Sequence, residues 1–124
     1  MKAVFDTNIL IDFLSGLEAA REELARHDVA LVSAITWMEV MAGATPAEDA
    51  SLRAFLMRFR VLPVDEAVME AAVAIRREQS IKLPDAIIWA TARCEYALLV
   101  TRDQRAFRVT SPEIRVPYQV HDRG

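Results

Sequence analysis

Four carboxylates stand where a metal-assisted reaction could use them: Asp6 in "VFDTN", Glu39 in "ITWMEVMAG", Asp85 in "LPDAI" and Asp103 in "VTRDQ". Like charges brought together raise one another's pKa and oppose folding, so such a group persists only where something neutralises it. The two histidines, His27 and His121, lie far from all four acids in sequence, and there is one cysteine. An all-oxygen donor set suits a hard divalent ion, Mg²⁺ or Mn²⁺, and not zinc. Taken singly, three of the acids have an ordinary reading. Asp6 and Asp85 can cap a helix or complement its dipole, and Asp103 can sit in a turn. Glu39 is the exception. In a helix its sequence neighbours are apolar on every side, and glutamate tolerates burial only with a partner.

The elements that must position these acids follow from the apolar periodicity. "KAVF" (2–5) reads as a buried strand ending at Asp6-Thr7-Asn8, and 9–14 as a helix. Residues 17–27 form an amphipathic helix with Leu17, Ala20 and Leu24 on its apolar face. "VALV" (29–32) is a second strand, followed by the Glu39 helix, which Gly43 stops. Pro46 opens a helix carrying Leu52, Phe55, Leu56 and Phe59. "RVLPV" (60–64) is a strand placed near a sheet edge by Pro63, and Asp65 caps the helix of Val68, Ala71, Ala72 and Ile75. Pro84 starts a central helix, apolar over most of its circumference. "ALLVT" (97–101) is a strand buried on both faces, "IRVP" (114–117) a last strand and 118–124 a frayed tail.

Strands alternating with helices imply an α/β domain, with a mainly parallel sheet covered on both faces. Such sheets bind ligands at the carboxyl ends of their strands. Asp6 directly follows one strand and Asp103 lies just beyond another, so a parallel arrangement brings both to one edge.

Composition bounds the function. The 124 residues suit one domain, 1–124, and 53% hydrophobic with 27% charged residues is a globular balance. The longest charge-free stretch, 29–38, is too short to span a membrane, and Asp6 interrupts any leader-like apolar run. A soluble cytoplasmic protein is expected, with Cys94 a buried, inert thiol. A net charge of −3 argues against coating nucleic acid by charge alone. Setting the four acids aside changes that −3 to +1, leaving a near-neutral surface. Arg102, Arg105 and Arg108 then flank Asp103, where a phosphodiester would want them, although a solvated arginine face is the ordinary reading.

The segments "VFDTNILID", "SAITWMEVMAG", "LPDAIIWATA" and "LLVTRDQRAF" together resemble the successive motifs of PIN-domain ribonucleases, closest to VapC-type toxins of toxin–antitoxin pairs. The resemblance runs from about Lys2 to Phe107. It implies a PIN-like three-layer sandwich and an acid cluster holding Mg²⁺ or Mn²⁺. Asp6, Glu39 and Asp85 match the family's three central acids, and Asp103 matches a more variable fourth. Thr7 and Asn8 would shape the loop holding Asp6, and Thr101 fits a small hydroxyl position at the end of its strand. Many relatives carry a further acid or asparagine just before the aromatic of the last motif, where Ala106 stands here. That departure points to a metal held mainly by Asp6 and Asp85, with Glu39 and Asp103 acting through water.

The implied reaction is metal-dependent hydrolysis of RNA, and the implied partners are an RNA substrate, a cognate antitoxin and a second copy of the chain. Two other readings compete. A receiver-like phosphoacceptor domain wants adjacent acids after the first strand and a late lysine, whereas Asp6-Thr7-Asn8 and Lys82 stand here. A catalytically silent PIN fold would bind RNA or protein without cutting.

Overall fold

Alternating side chains along each strand decide the layering. In the computed structural model, which describes residues 2–107 and 111–120, five parallel strands form one sheet. They are β1 (Lys2–Phe5), β2 (Val29–Ser33), β3 (Arg60–Leu62), β4 (Leu98–Val100) and β5 (Ile114–Arg115), in the spatial order β3-β2-β1-β4-β5. Val4 pairs with Leu31 on one side and Leu99 on the other. Those three side chains, with Leu62, point to one face and pack on α5 (Glu66–Gln79) and α6 (Leu83–Cys94). Ala3, Phe5, Val32 and Val100 point to the opposite face. They meet α1 (Thr7–Leu14), α3 (Ala34–Ala42) and α4 (Asp49–Leu56), while α2 (Glu18–Arg26) contributes Leu24 at the margin. The result is the expected three-layer sandwich.

The central helix behaves as its composition requires. Ala86, Ile88, Trp89, Ala90, Thr91 and Ala92 of α6 are all buried. Each large apolar side chain so placed contributes about 1.5–3 kcal/mol. Proline in the first turn sets the helix start without losing a backbone hydrogen bond. The edge position of β3 also agrees with its sequence, since Pro63 lies just beyond it.

Topology then fixes the active edge. The chain runs outward from β1 through β2 to β3, and afterwards crosses to the other side of β1 to lay down β4 and β5. The reversal falls between β1 and β4, the kind of switch point where open α/β sheets bind ligands. Asp6 leaves β1 there, its N–H donating to the Val100 carbonyl at 2.9 Å. This order differs from the 2-1-3-4-5 order of receiver-like domains.

Several elements differ from the sequence reading. Helix α1 begins at Thr7 rather than residue 9, because Asp6 itself caps it. Helix α4 begins at Asp49, with 46–48 forming a turn before it. Leu17 is exposed, preceding the helix Glu18–Arg26 as its cap residue, and Glu23 is buried in that helix against Arg115 and His27. Cys94 is half-buried, its thiol pushed up by burial. Strand β5 holds only Ile114 and Arg115. The tail expected at 118–124 begins with a packed Tyr118, while Arg108, His121 and the rest of 121–124 lie outside the described residues.

Candidate active site

Asp6 is the most confined of the four acids. Its side chain is 4% exposed and sits in a shell of hydroxyl and amide donors. Thr7 N–H donates to Oδ1 at 2.8 Å; Oδ2 accepts from the Thr101 hydroxyl at 2.7 Å and from Asn8 Nδ2 at 3.1 Å. Thr101 is fully buried, and its oxygen in turn accepts the Asp103 N–H at 3.0 Å. Asn8 also links the two segments, its Oδ1 accepting from the Arg102 N–H at 3.3 Å. Burial raises the Asp6 carboxyl from 3.8 to about 6, against the pull of the Thr101 and Thr7 hydrogen bonds and with Asp85 and Glu39 pushing the same way. Its neighbours are donors without charge, and no base pairs with it among the described residues. Thr7 and Asn8 hold Asp6 from the first turn of α1, not from a loop.

Glu39 does not lie where its apolar neighbours suggested. The residue is exposed, as are Met38 and Ala42 beside it. Helix α3 turns Thr36 and Val40 inward, and its solvent face is disguised in the sequence by a methionine and an alanine. The Glu39 carboxylate faces the acid edge, where Oε1 accepts the Thr7 hydroxyl at 2.6 Å. Thr36, fully buried, lies 3.1 Å from the same Thr7 oxygen.

Asp85 sits in the first turn of α6, yet Lys82 is the cap residue and no side chain caps that helix. The Asp85 carboxylate makes no hydrogen bond or ion pair with any described residue. Burial and the charges of Asp103 and Glu39 hold its pKa above the ordinary value, against Lys82. Asp103 does serve a turn: its Oδ1 accepts the N–H groups of Arg105 and Ala106, each at 3.1 Å. The structure therefore brings Asp6, Glu39, Asp85 and Asp103 to one edge, close enough to repel one another.

The donor set fits a hard cation. Asp85 and Glu39 raise the Asp6 pKa, no base pairs with Asp6 among the described residues, and the carboxylates offer only oxygen. Among the described residues no group of three or more His, Cys, Asp or Glu side chains is placed to hold a metal ion together. Mg²⁺ can bind through one or two carboxylates while keeping several waters, so it does not need three of these acids at once.

Asp12, Tyr118 and Thr36 take part around the site without being singled out in the sequence. Nε and Nη2 of Arg102 donate to the two oxygens of Asp12 at 2.5 and 3.1 Å, and the Tyr118 hydroxyl donates to Asp12 at 2.8 Å. Arg102 is thus held by a carboxylate, where the sequence reading offered it to a phosphodiester. Asp12 was detectable, since "LIDFL" encloses an acid in apolar residues just as "WMEVM" does. Thr36 gave no such signal, because a threonine within a helix is unremarkable in sequence.

The geometry finds matches among known proteins. The PIN domain family model matches residues 3–111. A chain of a toxin–antitoxin complex from Klebsiella pneumoniae is 40% identical, with 95% of this chain and 99% of that one covered and a TM-score of 0.90. A chain of DNA-bound VapBC from Salmonella typhimurium is 27% identical, covering 93% and 96%, with a TM-score of 0.77. A chain of FitAcB from Neisseria gonorrhoeae is 26% identical, covering 86% and 91%, with a TM-score of 0.72. No curated protein sequence matches the chain.

Proposed function

The chain belongs to the PIN-domain family, and on that premise we propose that it is a metal-dependent endoribonuclease, the toxin of a VapC-type toxin–antitoxin pair. The observation that carries the reading is the crowded carboxylate edge, where Asp6 is buried beside Asp85 and Glu39 and no base pairs with it among the described residues. Asp6 and Asp85 would hold Mg²⁺ or Mn²⁺, with Glu39 and Asp103 beside them. Such an ion, when bound, would supply Lewis acidity toward a phosphate oxygen and would make water a better nucleophile at neutral pH.

The chain's own residues do the rest. Thr101, Asn8 and the Thr7 N–H fix both Asp6 oxygens, so the carboxylate cannot rotate away. Thr7 fixes Oε1 of Glu39 and leaves Oε2 to take a proton from the attacking water. Asp103, tied to the turn by one oxygen, lines the cleft together with Asp85.

An antitoxin and a second copy of the chain are the partners we assign. Exposed Ile11, Leu14 and Leu17, close together in sequence, support a surface that a partner covers. Among the described residues no helix is long and apolar enough to cross a membrane.

The test is cleavage of total cellular RNA by purified protein with Mn²⁺, with EDTA, and by the Asp6→Asn variant. Cleavage that needs both metal and Asp6 supports the reading. Folded, antitoxin-free protein that cuts nothing would instead fit a PIN fold retained for binding.

A further inference from the structure

Against the acid edge lies a cleft of about 580 Å³, shared with the site at Asp85 and Asp103 and otherwise lined by residues to which the chemistry gives no role. That size falls within the range of small-molecule sites, about 300–1,000 Å³. Its floor is apolar, made by Ile81, Trp89 and Phe107, all of them core residues. Gln79 and Ser80 form one rim, and Lys82 and Arg105 bring positive charge. Asp85 and Asp103 close the end nearest the candidate metal site.

The rim is built rather than incidental. Ser80 ends α5 in the left-handed region, with φ 54°, and its N–H donates to the Arg76 carbonyl at 3.1 Å. Nη1 of Arg76 then donates to the Ile81 carbonyl at 2.8 Å. Those bonds hold 79–82 in place before any ligand arrives, which lowers the ordering cost of binding.

We propose that this cleft seats one nucleotide of single-stranded RNA beside the scissile phosphate, its base on the apolar floor and its edge read by Gln79. The proposal rests on the ribonuclease reading of the acid edge. A nucleotide is the ligand whose parts match the lining. Its base has apolar faces and a polar edge, and its phosphate is an anion. The Gln79 carboxamide both donates and accepts, as a base edge does. A bare anion would gain nothing from the floor, and a purely apolar ligand nothing from Lys82 and Arg105. Gln79 is therefore the specificity-determining residue of this site.

The test titrates ¹⁵N-labelled protein in EDTA with the four nucleoside 5′-monophosphates and, separately, with inorganic phosphate. Nucleotides are expected to shift the amide signals of 79–82 and 105–107 and the Trp89 indole signal, with affinities that depend on the base. Gln79→Ala should weaken the preferred nucleotide about fivefold, the loss of one hydrogen bond, and narrow the differences among bases. Equal shifts with inorganic phosphate would make the cleft an anion site and overturn the proposal. So would an absence of cleft shifts at millimolar nucleotide. RNA cleavage with a silent cleft sinks this proposal alone, whereas base-dependent binding in a protein that never cleaves supports the nucleotide seat and sinks the ribonuclease reading.

Discussion

The Thr7 hydroxyl oxygen lies 2.6 Å from Glu39 Oε1 and 3.1 Å from the Thr36 hydroxyl oxygen. A hydroxyl has one proton, and an ionised carboxylate can only accept. Thr7 must therefore donate to Glu39, and Thr36 must donate to Thr7. The chain of three has a single direction, running from the buried helix face to the acid edge. Glu39 is exposed but not loose.

Glu39→Gln keeps an oxygen for Thr7 and removes the group that accepts a proton. We expect it to fold with stability within about 0.5 kcal/mol of the parent, as exposed substitutions do. RNA cleavage should fall by about 10²–10⁴-fold, the usual contribution of a positioned base. Normal cleavage by this variant would remove Glu39 from the mechanism.

Thr36 never reaches the cleft, so its effect must pass through Thr7. Thr36→Val preserves shape and deletes the donor, and should cost about 1 kcal/mol of stability. Cleavage should drop about tenfold as Glu39 loses its fixed orientation, since small misplacements are expensive in rate. Thr36→Ser should restore it. A purely packing role for Thr36 predicts the reverse, with Val tolerated and Ser defective.

Divalent metal should raise the melting temperature of the purified chain. Binding to the folded state alone stabilises by about 2.7 kcal/mol at a hundred times the dissociation constant. Asp85→Asn should abolish most of that gain and leave the metal-free protein as stable or more so, because the carboxylate caps nothing in α6 and is repelled by Asp103 and Glu39. Collapse of the metal-free variant would return Asp85 to a structural role at the helix start.

Asp6 gives a pH dependence of unusual sign for an acid. Its folded pKa is about 6 against an ordinary 3.8, so between those values the folded chain binds more protons than the unfolded one. Stability of the metal-free protein should fall as pH rises from about 4 to about 6, by on the order of 3 kcal/mol from this group. The measurement is the difference between the parent and Asp6→Asn in EDTA across that window. A flat difference would mean that Asp6 is not held in an unfavourable charged state.

The sheet and the acid edge were legible in sequence because their signals are local. Continuous apolar runs such as "ALLVT" mark strands buried on both faces, and Asp6 lies next to the strand it leaves. Topology then needs only parallel pairing to bring Asp103 beside it. Side-chain direction on a short helix was not legible. Met38 and Ala42 make α3 look apolar all round, although they face solvent with Glu39. Nor were long-range charge pairs visible, since Arg102 and Arg115 look solvated until their partners Asp12 and Glu23 are placed 90 and 92 residues away.

The Glu23 pair makes the last prediction. Glu23 is 3% exposed, inside what the sequence presents as a surface helix. Arg115 reaches it from β5 with Nε and Nη2 at 2.7 and 3.0 Å, and His27 Nε2 lies 2.8 Å from the same carboxylate. Burial works to raise the Glu23 pKa, but the Arg115 and His27 contacts outweigh it and hold the group below 4.5. The pair thus contributes stability above that pH, and the contribution is lost as pH falls through the lowered value. Strand β5 is only two residues long, so this contact is a principal tie between its segment and α2. Arg115→Met should destabilise by about 2–3 kcal/mol, less than the ~3–5 of a fully buried broken pair because Arg115 is partly exposed and His27 and Arg26 remain beside Glu23. Adding Glu23→Leu should recover part of that loss, because the buried charge that has lost its bidentate partner disappears with it. A double variant as unstable as the sum of the two singles would mean that the two side chains act independently, and that packing rather than charge secures the segment.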